Sequence, residues 1–165
     1  MSMFKWKTYL CGSMESASDG GVGWREVITK RLAAELPNII VRDPAASEPD
    51  KTGYSLSDSK KLAYKWKKEG DLEKVKEMFK KIIQVDIRMV RTSDFIILMW
   101  KDTDQLGGTI AEIHEAYKNM IPIFCLFEGK FSNVNSWVLS EILLTGGEIF
   151  TDWDKLMARV KEEVS

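Results

Sequence analysis

Gly107-Gly108-Thr109-Ile110-Ala111-Glu112 is the stretch on which the reading of this chain turns. Before it runs Phe95-Ile96-Ile97-Leu98-Met99-Trp100, an apolar segment of the length and composition of a buried parallel strand. After it, Ile110, Ile113, Ala116, Tyr117 and Met120 recur at helical spacing. The glycines therefore fall where a strand's carboxyl end meets a helix's amino end. In open α/β sheets ligands bind in that crevice, because unpaired helix amides point into it. Glu112, on the opening turn, is expected to be held ionised by the helix dipole, as suits a nucleophile or electrostatic stabiliser. The same residues also fit a capping box, with Thr109 as N-cap and Glu112 reaching back to its amide, which implies no chemistry.

Outward from this stretch the chain alternates strands and helices. Toward the N-terminus, Thr8-Tyr9-Leu10-Cys11 reads as a first strand broken by Gly12-Ser13. A loop with Glu15, Asp19, Gly20, Gly21 and Gly23 follows, then a helix from about Trp24 to Leu36. Ile39-Ile40-Val41 is a second strand, stopped by Asp43-Pro44. Toward the C-terminus, Ile121 to Phe127 gives a fourth strand and Val134 to Leu144 a helix. Glu148-Ile149-Phe150 and a helix begun by Asp152 close the pattern. Such alternation predicts a parallel sheet covered on both faces, in one domain spanning residues 1–165.

Two segments break the regularity. Residues 45–70 pass from Pro49, Gly53 and serines to Lys60, Lys61, Lys65, Lys67 and Lys68 among aromatics. They read as an insertion over the crevice, part loop and part helix; the lysines suit either a solvated face or a phosphate. In the helix from about Asp71 to Arg91, Leu72, Val75, Phe79, Ile82, Met89 and Val90 form one apolar stripe. Asp86 interrupts it, and a carboxylate facing a core costs several kcal/mol unless paired. Asp86 is either a site residue or the polar edge of a stripe widened by Ile83 and Val85.

Composition narrows the functional classes. The 165 residues are 44% hydrophobic and 30% charged, as in an ordinary soluble domain. With 24 basic and 25 acidic side chains the net charge is −1, which does not favour nucleic acid as a partner. The two cysteines, Cys11 and Cys125, read as buried thiols, not as a disulfide. A single histidine, His114, expected at the surface, and no CxxC leave no protein-built metal site. No apolar run approaches the ~18 residues that cross a bilayer, and Met1 to Lys7 lack a signal-peptide core, so a cytoplasmic protein is expected. The glycine loop carries no GxGxxG directly after a strand, which speaks against a dinucleotide site.

Tyr9-Leu10-Cys11-Gly12-Ser13, Asp86 late in a helix, Ser93-Asp94 before the third strand and Gly-Thr-x-x-Glu ending at Glu112 occur in that order. Together with Gly20-Gly21-Val22-Gly23-Trp24-Arg25, this arrangement resembles the nucleoside 2-deoxyribosyltransferase family, which includes deoxynucleoside 5′-monophosphate N-hydrolases. The resemblance covers most of the chain outside residues 45–70. It implies a flavodoxin-like (Rossmann-like) three-layer sandwich with a five-stranded, mainly parallel sheet. It also implies cleavage of the bond between a nucleobase and C1′ of deoxyribose, by hydrolysis or base transfer, with no cofactor and no metal. By resemblance Glu112 is the nucleophile, Tyr9 orients it, and Asp86 meets the departing base. Gly12, Ser13, Asp19, Gly107, Gly108, Thr109 and Ser140 are then substrate-binding, Ser140 from a neighbouring subunit of a homodimer or larger homo-oligomer. Asp86 on a desolvated face is expected to have a raised pKa and Glu112 a depressed one. Asp86→Leu is expected to leave the fold as stable or more so.

Two departures from the family pattern bear on the substrate. Transferases of the family carry an aspartate six residues before the nucleophile; here Leu106 stands there, with Asp102 and Asp104 as substitutes nearby. Monophosphate hydrolases carry an arginine shortly after the first Gly-Ser, and here that place holds Glu15. Ser13, Ser16, Ser18 and Ser140 remain as neutral phosphate donors, and the lysines of 60–68 read as distant. A free 5′-hydroxyl substrate is therefore expected to be cleaved at least as well as its monophosphate. The competing class is a non-catalytic nucleotide-binding module of the same fold; a nucleic-acid-binding protein would rest on the lysines alone.

Overall fold

A computed structural model describes residues 5–15 and 17–165; Met1 to Phe4 and Ser16, one of the serines named above, lie outside them. Among the described residues five strands form one sheet: β1 (Trp6–Gly12), β2 (Ile39–Arg42), β3 (Phe95–Lys101), β4 (Ile123–Glu128) and β5 (Glu148–Phe150). Their order is β2-β1-β3-β4-β5 and every neighbouring pair is parallel. The continuous apolar runs in β1, β3 and β4 follow from this, since central strands are buried on both faces.

Helices α1 (Val22–Glu35) and α7 (Trp153–Glu163) cover one face. Ile28, Leu32, Leu156, Met157 and Val160 pack there on Leu10, Phe95, Ile97, Phe124 and Leu126. On the other face lie α4 (Leu72–Arg91), α5 (Gly107–Lys118) and α6 (Ser136–Leu144). Val90, Ile113, Ala116, Val138 and Ile142 meet Tyr9, Cys11, Ile96, Leu98, Ile123 and Cys125. The result is a three-layer α/β sandwich of flavodoxin-like strand order. Cys11 and Cys125 are free, buried thiols, as expected.

Residues 45–70 fold into α2 (Glu48–Thr52) and α3 (Leu56–Glu69), more helical than expected, and both pack on α4. Ser55 caps α3 by accepting from the Asp58 amide, and Gly70 ends it in the left-handed conformation. Of the α4 stripe Val90 is buried and Val75, Phe79, Ile82 and Met89 are partly buried, Met78 and Asp86 are buried beside them, and Leu72 at its start is 67% exposed.

The switch in strand order lies between β1 and β3. Register pairs Gly12, the last residue of β1, with Met99, two residues before β3 ends, and the chains leave toward opposite faces, opening a crevice at the carboxyl edge. The capping-box reading fails here. The α5 helix starts at Gly107, with φ of 37° and Leu106 as an N-cap that makes no side-chain bond. Thr109 is already in the first turn, and the Glu112 carboxyl turns away from its own helix start.

Candidate active site

The crevice is a cavity of about 660 Å³. The β1–α1 loop supplies Gly12 and Ser13 to it, and the start of α5 supplies Gly107, Gly108, Thr109 and Glu112. One wall is apolar, made of Met78, Phe79, Ile82 and Ile83 on α4, with Asp86 one turn further along. Leu56, Ser59, Lys60 and Ala63 of α3 and Glu48 of α2 close the remaining side. The α4 stripe thus divides its labour: Val90 enters the sheet core and the preceding turns face the cavity.

Glu112 is held by two neutral donors from one strand. The Tyr9 hydroxyl donates to Oε1 at 2.7 Å and the Cys11 thiol to Oε2 at 3.1 Å. Residues two apart on a strand share a face, so Tyr9 and Cys11 both point from β1 toward α5. Both donors are buried, and desolvation pushes both pKa values well above their usual range, so they remain protonated. Glu112 itself is half-buried, its carboxyl crowded by protein atoms. Desolvation raises its pKa to about 7 against the lowering effect of the Tyr9 and Cys11 hydrogen bonds. The expected depression is therefore reversed. Glu112 is the sixth residue of α5, beyond the first turn where the dipole acts, and loss of water dominates.

Asp86 is 4% exposed and is paired with a residue that the sequence pattern did not single out. Lys51 Nζ lies 2.9 Å from Asp86 Oδ1, 3.1 Å from Glu48 Oε2 and 2.9 Å from the Pro44 carbonyl. The ammonium donates to Asp86 and Pro44 and pairs electrostatically with Glu48. Burial raises the Asp86 pKa as expected, and Lys51 opposes the rise. This cluster overturns the expectation for Asp86→Leu, since removing the carboxylate strips a buried lysine of one partner. Its sequence trace was slight: Glu48 and Lys51 are spaced i, i+3 on a five-residue helix that contains Pro49.

Arg25 is fully buried behind the end of β1. Its guanidinium donates to Gly21 O at 2.8 Å, Gly12 O at 3.0 Å and Leu10 O at 3.4 Å, and Nε lies 3.5 Å from Asp43 Oδ1. It fixes the loop that carries Ser13. Gly21, at φ of 72°, is required there, because a Cβ would sit 2.4 Å from both Arg25 Nη1 and the Ser13 carbonyl.

Other expected site residues have different employment. Asp19 does not line the cavity; its oxygens accept from the Gly21 and Gly23 amides at 2.8 and 3.0 Å, tying down the start of α1. Asp102 accepts from the Lys130 amide and the Asn133 side chain, and Asp104 from the Lys101 amide, so neither stands in at Leu106. Leu106 itself and Gln105 line the cavity. Ser140, exposed on α6, donates to Ser136 O and lies away from this chain's cavity. His114 is half-exposed, with Nδ1 2.7 Å from Glu141 Oε1. Two of the α3 lysines are not distant. Lys67 pairs with Glu15 at 3.0 Å, and Lys60 donates to Met14 O and Ala17 O at 3.1 and 3.2 Å while lining the cavity.

Among the described residues no cluster of histidine, cysteine and carboxylate side chains suits a metal ion, and no helix is long and apolar enough to cross a membrane. No protein-family model matches the chain, and no curated protein matches it in sequence. Two solved structures are similar across nearly their whole length. A conserved protein from Enterococcus faecalis V583 is 18% identical, with a TM-score of 0.66 over 96% of this chain and 99% of that one. A 2-deoxyribosyltransferase from the psychrotolerant bacterium Bacillus psychrosaccharolyticus is 13% identical, with a TM-score of 0.62 over 91% and 89%. At these identities the likeness is one of fold: the chain is built on the same flavodoxin-like α/β framework as a 2-deoxyribosyltransferase.

Proposed function

We propose that the protein cleaves the N-glycosidic bond of 2′-deoxyribonucleosides or their 5′-monophosphates, with Glu112 as nucleophile. The observation that carries this reading is the Glu112 carboxyl, fixed by Tyr9 and Cys11 in a cavity that also holds the buried carboxyl of Asp86. Retaining glycosidic cleavage needs those two groups, an ionised carboxylate for C1′ and a proton donor for the leaving group.

In the first step a Glu112 oxygen attacks C1′ and the C1′–N bond breaks. The bonding electrons pass to the base nitrogen, and the Asp86 proton goes to the departing base. The sugar is left as an ester of Glu112, and Asp86 as carboxylate. In the second step water or the nitrogen of another base attacks C1′, Asp86 takes up the proton, and Glu112 is released as carboxylate. Tyr9 and Cys11 hold Glu112 in place through both steps, because each remains a neutral donor. The apolar α4 wall, with Phe79 in it, suits the face of a base. The α3 contacts on the β1–α1 loop make residues 45–70 a cover over the sugar. Gly12, Ser13, Gly107, Gly108 and Thr109 bind the substrate around its sugar.

We also place Ser140 at the site of a second copy, in a homodimer or larger homo-oligomer. Trp137, Leu143 and Leu144 are exposed on the same helix by 73%, 52% and 59% and supply an apolar contact. The test of the reaction is a panel of deoxynucleosides and monophosphates with free base measured by chromatography. Base release is expected, with at least a ~10³-fold loss in Glu112→Gln. Binding without release in the wild type would leave a nucleotide-binding module; equal release by Glu112→Gln would refute the nucleophile.

A further inference from the structure

The Glu48–Lys51–Asp86 cluster does more than compensate charge, because it dictates which polar atoms reach the base. Lys51 is 6% exposed; its ammonium donates to Asp86 Oδ1 and the Pro44 carbonyl and forms an ion pair with Glu48 Oε2 at 3.1 Å. Enclosed by these three oxygens, the ammonium does not line the cavity. Glu48 and Asp86 both line the cavity, and each binds the ammonium through one oxygen. Among the described residues the second oxygen of each has no hydrogen-bond donor within the chain. The cluster therefore presents the carboxyl groups of Glu48 and Asp86, and not its cation, to the cavity.

Resting on the reading above, we infer that this pair of oxygens selects a nucleobase with an exocyclic amino group beside a ring-nitrogen acceptor, as in adenine and cytosine. The amino group donates to Glu48, and the Asp86 hydroxyl donates to the adjacent ring nitrogen. Adenine offers this pair as the N6 amino group and N7, whereas guanine and hypoxanthine place a carbonyl oxygen at O6. An oxo base sets that oxygen against the Glu48 carboxylate, with no proton between them. A buried acceptor left unpaired by the wrong ligand is a strong basis for discrimination. The proton that Asp86 shares with the ring nitrogen is the one the base carries away. Glu48 and Lys51 are thus specificity-determining and positioning residues, respectively.

The test compares pairs that differ at this edge, deoxyadenosine against deoxyinosine and deoxycytidine against deoxyuridine. Two readouts are taken: kcat/KM with the wild type, and Kd by calorimetry with Glu112→Gln, which holds substrate uncleaved. Each amino compound is expected to be favoured at least ~10-fold in both readouts. Glu48→Gln, whose amide can turn an N–H toward the carbonyl, is expected to bring the ratios to within about threefold. Equal use of oxo and amino bases by the wild type would overturn the inference and leave the glycosidase reading intact. Ratios unchanged by Glu48→Gln would overturn it too. If no member of the panel is cleaved yet Glu112→Gln binds deoxyadenosine over deoxyinosine, the reaction falls and the amino-base site stands. Failure of both binding and cleavage removes both.

Discussion

The two carboxyl groups in the cavity are supported in opposite ways. Glu112 is surrounded by neutral donors from the sheet, a phenol and a thiol two residues apart on β1. Asp86 is held by a buried cation from α2, outside the sandwich proper. Burial raises both pKa values, and only for Asp86 is a full opposite charge in contact to limit the rise. On the Glu112 side the fold positions a group with neutral donors and no cation in contact, so its charge is set by burial and by those hydrogen bonds. On the Asp86 side geometry and charge are fixed together by Lys51. A nucleophile and a proton donor require that division.

The sharpest break of this comparison is at Glu112, the proposed nucleophile. Glu112→Gln keeps size and hydrogen bonding and is expected to lose at least ~10³-fold in turnover. It also reports on stability. Folding raises the Glu112 pKa from 4.5 to about 7, so the fold favours the protonated form. That contribution is complete below about pH 4.5 and is lost as pH rises through about 7. A series of melts from pH 4 to 8 should therefore show the wild type losing stability relative to Glu112→Gln as pH rises.

On the Asp86 side the expected damage is divided between rate and stability. Asp86→Asn removes the proton donor and should reduce kcat by about 10²–10⁴-fold. Lys51→Met leaves the two buried carboxyl groups of Glu48 and Asp86 without their cation and should cost about 3–5 kcal/mol in denaturant unfolding. If Lys51→Met melts like the wild type, the ion cluster is not what holds Asp86.

Tyr9→Phe sharpens the comparison more gently. Its hydroxyl lowers the Glu112 pKa, so its loss should move the acidic limb of the kcat/KM profile above the wild-type value of about 7. An unmoved limb would show that Tyr9 does not govern the nucleophile. The smallest effect is expected at the far end of the cavity. Lys67→Met frees Glu15 from its partner and should lower kcat/KM for the monophosphate relative to the nucleoside by about two- to fivefold, less in high salt.

Legibility in the sequence follows the same divide. The sheet and the face that carries Tyr9 and Glu112 were readable, because strand and helix periods and the Gly107-Gly108 junction are local signals. Cys11 was read as a core thiol although its two-residue spacing from Tyr9 already placed it on the same face. Glu48 and Lys51 left almost no trace, because a five-residue helix has no usable period and its meaning arises on contact with α4. Asp86 announced that it needed a partner; the partner 35 residues earlier could not be named from pattern alone. The Glu112 ionisation was misjudged for a related reason: the dipole is a property of the helix start, and desolvation is a property of the assembled fold. The resemblance assigns Asp19 to the substrate, whereas its oxygens accept from the Gly21 and Gly23 amides.

The most direct test of the account is the stereochemistry at C1′. Cleavage of a β-deoxynucleoside in aqueous methanol, followed by proton NMR of the methyl deoxyriboside formed, distinguishes two displacements from one. Attack by Glu112 and then by methanol inverts twice, so the account predicts the β-methyl glycoside, and its loss with Glu112→Gln. Formation of the α-methyl glycoside would mean a single displacement by solvent and would contradict a covalent role for Glu112.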